Sequence, residues 1–310
     1  MSLILENIKG YSSIELKAKQ VVEGFLSGLH SSPFHGYSVE FADYRAYNQG
    51  ESTKNIDWKL FARTDKLFIK NYNQETNLRC MLVMDSSASM GFPFDNKHNT
   101  FENPNKLIYS TYAAACILQM LYKQRDAFGL TLFSDKVDMI SSIKSTYQHK
   151  RYIYTLLEQL IRKDYKQLKN SSNIAPILHY IAENVHKRSL VIIFSDLLSM
   201  QEDNEQIINA LQHLRFNKHE VILFHIYDKN LEENLQYKNR PYKFVDVETM
   251  QEVKLNPSDI KETYKELMQQ NFKYLHHALN NMQIDYVPVD INLSYNQVLL
   301  PYFFKRLRMR

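Results

Sequence analysis

Three oxygen-bearing side chains crowd one short stretch of this chain. Asp85, Ser87 and Ser89 fall on every second position of Asp85-Ser86-Ser87-Ala88-Ser89. A carboxylate and hydroxyls gathered on a tight loop suit a hard cation such as Mg²⁺, with waters completing an octahedron. The element that must present them lies directly upstream. Cys80, Met81, Leu82, Val83 and Met84 are apolar without alternation, the pattern of a central strand covered on both faces. Asp85 then stands at that strand's carboxyl end, where open α/β sheets bind their ligands.

A second strand of the same kind spans residues 190–194 and ends in Ser195-Asp196. Around these two the chain alternates helix and strand. Residues 13–30 carry a helical stripe of Ile14, Leu16, Val21, Val22, Phe25, Leu26 and Leu29. Residues 95–105 are a polar insertion that reads as a surface loop. Residues 106–122 form a helix with little polar surface, and such a helix packs against a sheet. Strands are expected at 128–133, 137–140, 221–227 and 286–289, and helices at 152–160, 205–214 and 298–307. Residues 242–247 and 252–255 suggest a hairpin, and Ser258 reads as the N-cap of a helix reaching about residue 282. This order predicts an α/β fold with a mostly parallel central sheet flanked by helices. The basic residues Lys305, Arg306, Arg308 and Arg310 read as a solvated helix end.

Composition removes several function classes. The chain has 38 basic and 34 acidic residues, a net charge of +4, which argues against a dedicated nucleic-acid binder. Its two cysteines, Cys80 and Cys116, lie in apolar surroundings and read as buried, reduced thiols of a cytosolic protein. Glu6 interrupts the first apolar run, so no signal peptide is expected. No apolar run approaches the roughly 18 residues that a membrane span needs. There is no GxxxxGK[ST], no Gly-x-Ser-x-Gly and no HExxH, and no glycine follows Gly129. The usual hydrolase and P-loop constellations are therefore missing.

Residues 40–75 are dense in aromatic and charged side chains. They include Arg45, Tyr47, Gly50, Ile56-Asp57-Trp58, Ala62-Arg63 and Glu75. Read alone, they suggest a small sheet or lid with internally paired charges, or a separate binding surface. In the first reading Trp58 packs, and Arg45 or Arg63 pairs with Asp57 or Glu75. The segment resembles the signature of the bacterial family called domain of unknown function fifty-eight, with Glu51 where that family's turn usually carries Asp. The resemblance runs from about residue 36 to 196. It implies an N-terminal family-specific segment, residues 1–78, packing on a main domain, residues 79–310.

The Asp85-x-Ser87-x-Ser89 stretch resembles the first loop of the metal-ion-dependent adhesion site in von Willebrand factor A domains, a Rossmann-like fold. Ser171-Ser172-Asn173-Ile174 resembles that site's second loop, with Ser172 in place of threonine; read alone, it is a helix cap. Asp196 resembles the last acidic residue, which usually acts through water. Two crowded carboxylates repel unless a cation or proton lies between them. The resemblance thus implies Mg²⁺ or Mn²⁺ held by Asp85, Ser87, Ser89, Ser172 and Asp196, with one position open to a partner's Asp or Glu. It also implies an adaptor or co-chaperone working with a MoxR-type AAA+ ATPase; with the thiols and the missing catalytic constellations, this makes a cytoplasmic binding module, not an enzyme, the expected function. A metal-free scaffold of the same fold and a metal-dependent hydrolase are the alternatives.

Overall fold

The computed structural model describes residues 13–30, 44–46, 58–70, 78–94, 100–162, 174–197, 200–246 and 250–308. The chain divides into two compact units. One comprises Met1–Leu26 with Leu78–Arg310, the other Ser27–Asn77.

Helix α1 is Ser13–His30. Its Ile14, Ala18 and Val22 enter the core of the larger unit. The smaller unit holds strand β1 (Tyr44–Ala46), helix α2 (Trp58–Thr64) and strand β2 (Phe68–Lys70). β1 and β2 pair antiparallel, Tyr44 opposite Lys70 and Ala46 opposite Phe68. The small sheet expected from the sequence is therefore present. Trp58, expected to pack, is instead 59% exposed and meets only the edge of Phe61 among described rings. Asp57 and Glu75, the proposed partners for Arg45 or Arg63, lie outside the described residues, as does the side chain of Arg45.

The larger unit is built on β3 (Arg79–Asp85), α3 (Lys106–Lys123), β4 (Ala127–Phe133), β5 (Val137–Ile140), α4 (Tyr147–Arg162), α5 (Ile174–Asn184), β6 (Leu190–Ser195), α6 (Met200–Phe216), β7 (Glu220–Tyr227), the hairpin β8 (Tyr242–Val245) and β9 (Glu252–Leu255), α7 (Pro257–Asn281), β10 (Asp285–Asp290) and α8 (Tyr295–Arg308). Six strands form one sheet in the order β10-β7-β6-β3-β4-β5. Every pairing in it is parallel except the edge strand β5 on β4. The predicted α/β fold with a mostly parallel sheet flanked by helices is what the chain adopts.

The unalternating apolar runs follow from burial on both faces. Cys80, Leu82 and Met84 of β3, with Leu190, Ile192 and Phe194 of β6, face one side and join α1, α3, α4 and α8. Met81 and Val83, with Val191 and Ile193, face the other and join α5, α6 and α7. Successive side chains of a strand point to opposite faces, so a strand sandwiched between helix layers has no polar side to show. Cys80 and Cys116 are buried and in no disulfide, as expected. β3 leads to β4 on one side, and the later β6 returns to its other side. The chain therefore reverses its winding between β3 and β6, and the carboxyl ends of those strands flank the resulting crevice.

Two local expectations are corrected. The cap of α7 is Asn256, with Pro257 in the first turn, where its fixed φ and missing N–H suit a helix start. Ser258 lies inside the helix and donates to Asn239 Oδ1 at 2.9 Å. The end of the 95–105 insertion is not surface loop. Asn105 is buried and its Oδ1 accepts the Ile108 N–H at 2.8 Å, capping α3. Residues 95–99 lie outside the described residues.

Candidate metal centre

Asp85 ends β3 and is fully buried. The chain then turns sharply. The Ser86 N–H and hydroxyl both donate to the Phe133 carbonyl of the neighbouring β4 at 2.8 Å. The Ser87 N–H donates back to Asp85 Oδ1 at 2.9 Å. A 3₁₀ turn, Ala88–Gly91, follows, wholly buried. It sets the Ser87 and Ser89 hydroxyl oxygens 3.1 Å apart. From the adjacent strand, Ser195 Oγ donates to Asp85 Oδ2 at 2.9 Å and accepts the Leu197 N–H at 3.1 Å. Leu197 holds a left-handed backbone, φ 53°, a conformation uncommon outside glycine, which turns the chain just after Asp196.

Asp85, Ser87, Ser89 and Asp196 are thus brought together at the carboxyl ends of the two central strands. Ser172 lies outside the described residues, two positions before the start of α5. Burial, and then the negative charge of Asp196, push the Asp85 carboxyl from 3.8 to about 6; the hydrogen bonds from Ser87 and Ser195 only partly offset this. A carboxylate disfavoured by burial and by a second carboxylate is what a bound cation would relieve. The donor set fits a hard divalent ion: oxygen only, buried, and anionic at Asp85 and Asp196. Among the described residues no three His, Cys, Asp or Glu side chains gather as a metal centre, so an ion held here would rely on hydroxyls and water for its other ligands. Removing the Ser195 hydroxyl should weaken this scaffold. Ser195→Ala is expected to cost about 1–3 kcal/mol in urea unfolding of metal-free protein, because Asp85 loses a charge-assisted bond and the Leu197 N–H its acceptor.

Other groups at these strand ends leave little local signature in the sequence. Lys106, first residue of α3, is fully buried, and its Nζ lies 2.7 Å from Asp196 Oδ2 and 2.8 Å from Glu232 Oε1. Burial opposes its charge, but the Asp196 and Glu232 carboxylates outweigh that and hold its pKa above the usual lysine range. Glu232 stands in the turn after β7, and its Oε2 accepts the Asp228 N–H at 2.6 Å. Burial pushes its carboxyl up, with Lys106 acting against the shift. His225 on β7 is depressed to about 4 by burial, with the Asp196 charge opposing. Its Nδ1 lies 2.6 Å from the Tyr286 hydroxyl, and its ring also bonds the Asp196 backbone. A neutral imidazole, one nitrogen accepting and one donating, satisfies both partners.

A further carboxylate pair shows another way to manage the same crowding. Asp228 and Asp290 stand at the ends of the paired strands β7 and β10. The Asn292 amide donates to Oδ1 of each, at 3.0 and 2.8 Å. That pair is bridged by a neutral side chain. Asp196 and Glu232 are bridged by an ammonium, whereas Asp85 accepts from the Ser87 backbone N–H and the Ser195 hydroxyl.

The family described as Protein of unknown function DUF58 matches residues 43–273. Uncharacterized proteins of Mycobacterium bovis and Mycobacterium tuberculosis are each 32% identical over 80 residues, 26% of this chain and 25% of the relative. The match thus spans about a quarter of those relatives' length. Among solved structures, the conserved hypothetical protein BatB from Bacteroides thetaiotaomicron is similar with a TM-score of 0.44 and 11% identity, over 75% of this chain and 100% of that one. The SpRpn10 VWA domain is similar with a TM-score of 0.35 and 14% identity, over 48% of this chain and 75% of that one.

Proposed function

We propose, from the premise that this chain belongs to the DUF58 family of proteins of unknown function, that it is a metal-dependent protein-binding module of the von Willebrand factor A type. Asp85, Ser87, Ser89 and Ser172 hold Mg²⁺ or Mn²⁺, and Asp196 contributes through water. A partner's Asp or Glu fills the remaining position, a short charge-assisted contact of high specificity. A MoxR-type AAA+ ATPase, suggested by the family resemblance, is that partner; the two buried thiols support the cytoplasm as the place of work, and the chain binds rather than catalyses. No helix among the described residues is long and apolar enough to cross a membrane.

One observation carries this reading: Asp85 is buried on a serine-rich turn with Asp196 beside it, so that its carboxyl is pushed up to about 6. A second reading, a metal-free scaffold, draws support from Lys106, which already gives Asp196 a positive partner. Calorimetric titration of metal-stripped protein with Mg²⁺ and Mn²⁺, alone and with the ATPase, separates them. The metal reading expects saturable binding of an ion, and capture of the ATPase that is lost in EDTA. Capture of the ATPase without any ion binding would instead favour the scaffold.

A further inference from the structure

Lys106 sits where a lysine is least expected. It opens a helix, where the macrodipole disfavours a cation, and its side chain is fully buried. A buried ion pair is weak support for a fold, because desolvating the charges offsets most of their attraction. The ammonium also has two anionic partners. It contacts Asp196 at 2.7 Å and Glu232 at 2.8 Å, and Glu232 is itself fixed through Oε2 to the Asp228 N–H. If Asp196 turned to another cation, the lysine would still keep Glu232. The Phe92 ring, centred 5.6 Å from Nζ, lies alongside.

We propose that Lys106 is a built-in competitor of the divalent ion: its ammonium occupies Asp196 and thereby sets a low intrinsic metal affinity. This rests on the metal-binding reading given above. A divalent ion entering beside Asp85 meets an Asp196 already neutralised, and a positive charge one side chain away. Metal and lysine exchange for the same carboxylate, so the centre fills readily only when a further carboxylate arrives to offset the ammonium. The partner's acidic residue supplies that charge, which couples metal capture to partner capture. Lys106 is a positioning residue for Asp196, and it touches neither partner nor reacting atoms.

The test titrates metal-stripped wild type, Lys106→Met and the pair Lys106→Met/Glu232→Gln with Mn²⁺ and Mg²⁺ by calorimetry, with thermal melts of each in EDTA and in excess ion. Removing one unit charge at contact range in a partly buried site should tighten ion binding at least about tenfold. The double variant removes one charge of each sign, so the net charge of the cluster is unchanged. A tenfold gain there comes from releasing Asp196 and not from overall charge. It also remains readable if the single variant, in which Asp196 and Glu232 both lose the ammonium, does not fold without metal. Both variants should gain more melting temperature from Mn²⁺ than wild type does. Silence in the wild type with binding in the variants would equally support the competitor role. Binding by the wild type with equal or weaker binding in the variants would overturn it and leave the metal reading standing. Silence in all three would overturn both.

Discussion

Asp85→Asn should abolish binding of Mg²⁺ and Mn²⁺ and, in metal-free protein above about pH 6, stabilise the fold by about 3 kcal/mol. The two effects share one cause. Asp85 is a buried carboxylate facing a second carboxylate, and its pKa rises from 3.8 to about 6 on folding. A rise of about two units is worth about 3 kcal/mol. The sign follows from proton counting. Between about pH 4 and pH 6 the folded protein holds a proton that the unfolded chain has released. Stability present below pH 4 is therefore lost as pH rises through 6. Asparagine carries no such proton, so the variant should match wild type near pH 4 and exceed it at pH 7.5. Its amide can still meet Ser195, and its carbonyl the Ser87 N–H. Urea unfolding in EDTA at the two pH values measures the difference. A gap that does not change with pH would remove the electrostatic account of this residue. In saturating Mn²⁺ the ranking should reverse, because only the wild type gains binding energy from the ion. A residue whose replacement stabilises the empty protein but removes ligand stabilisation is kept for the ligand and not for the fold.

The parts of this site that the sequence displayed are those encoded locally. Residues 80–84 announced a doubly buried strand because no position in it is polar, and Asp85 announced the strand's end. The same logic placed β6 and Asp196, and parallel pairing brought the two ends together. Lys106 and Glu232 were not legible as partners. Lys106 meets Asp196 and Glu232 across 90 and 126 positions of chain, and no periodicity records such contacts. The one local trace is the sign of the charge at Lys106: a cation opening an apolar helix contradicts the macrodipole and so asks for an anion from elsewhere. Asn105 was hidden for a related reason. It looks like the end of a polar loop, and only the helix that follows makes it a cap. Trp58 misled in the opposite direction, since a lone tryptophan suggests a packed ring whereas this one stays exposed on α2. Ser172 falls outside the described residues, so the second loop rests on the resemblance alone.

Breaking the buried pair between α1 and α4 should destabilise the fold strongly. Lys150 Nζ lies 2.6 Å from Glu15 Oε1, with both side chains at least 95% buried. Around it Lys150 lies over the Tyr122 ring at 4.4 Å and that of Tyr154 at 5.6 Å. Glu15→Ala would leave the ammonium without this carboxylate in an aromatic pocket, and Lys150→Met would take the ammonium from a buried carboxylate. Each is expected to cost about 3–5 kcal/mol in urea unfolding. The double change Glu15→Met/Lys150→Met should recover most of that loss, because two apolar chains of similar length avoid the desolvation of both ions. The coupling matters for where the chain divides. The sequence boundary near residue 78 groups α1 with the family-specific segment, whereas Ile14, Ala18 and Val22 share the core of the larger unit. If α1 is an integral part of that unit, the single variants should lower the midpoint of one cooperative transition that also reports on the sheet. Additive costs in the double variant, or a separate transition for α1 with the sheet unaffected, would show that the helix is an appendage and its ion pair incidental.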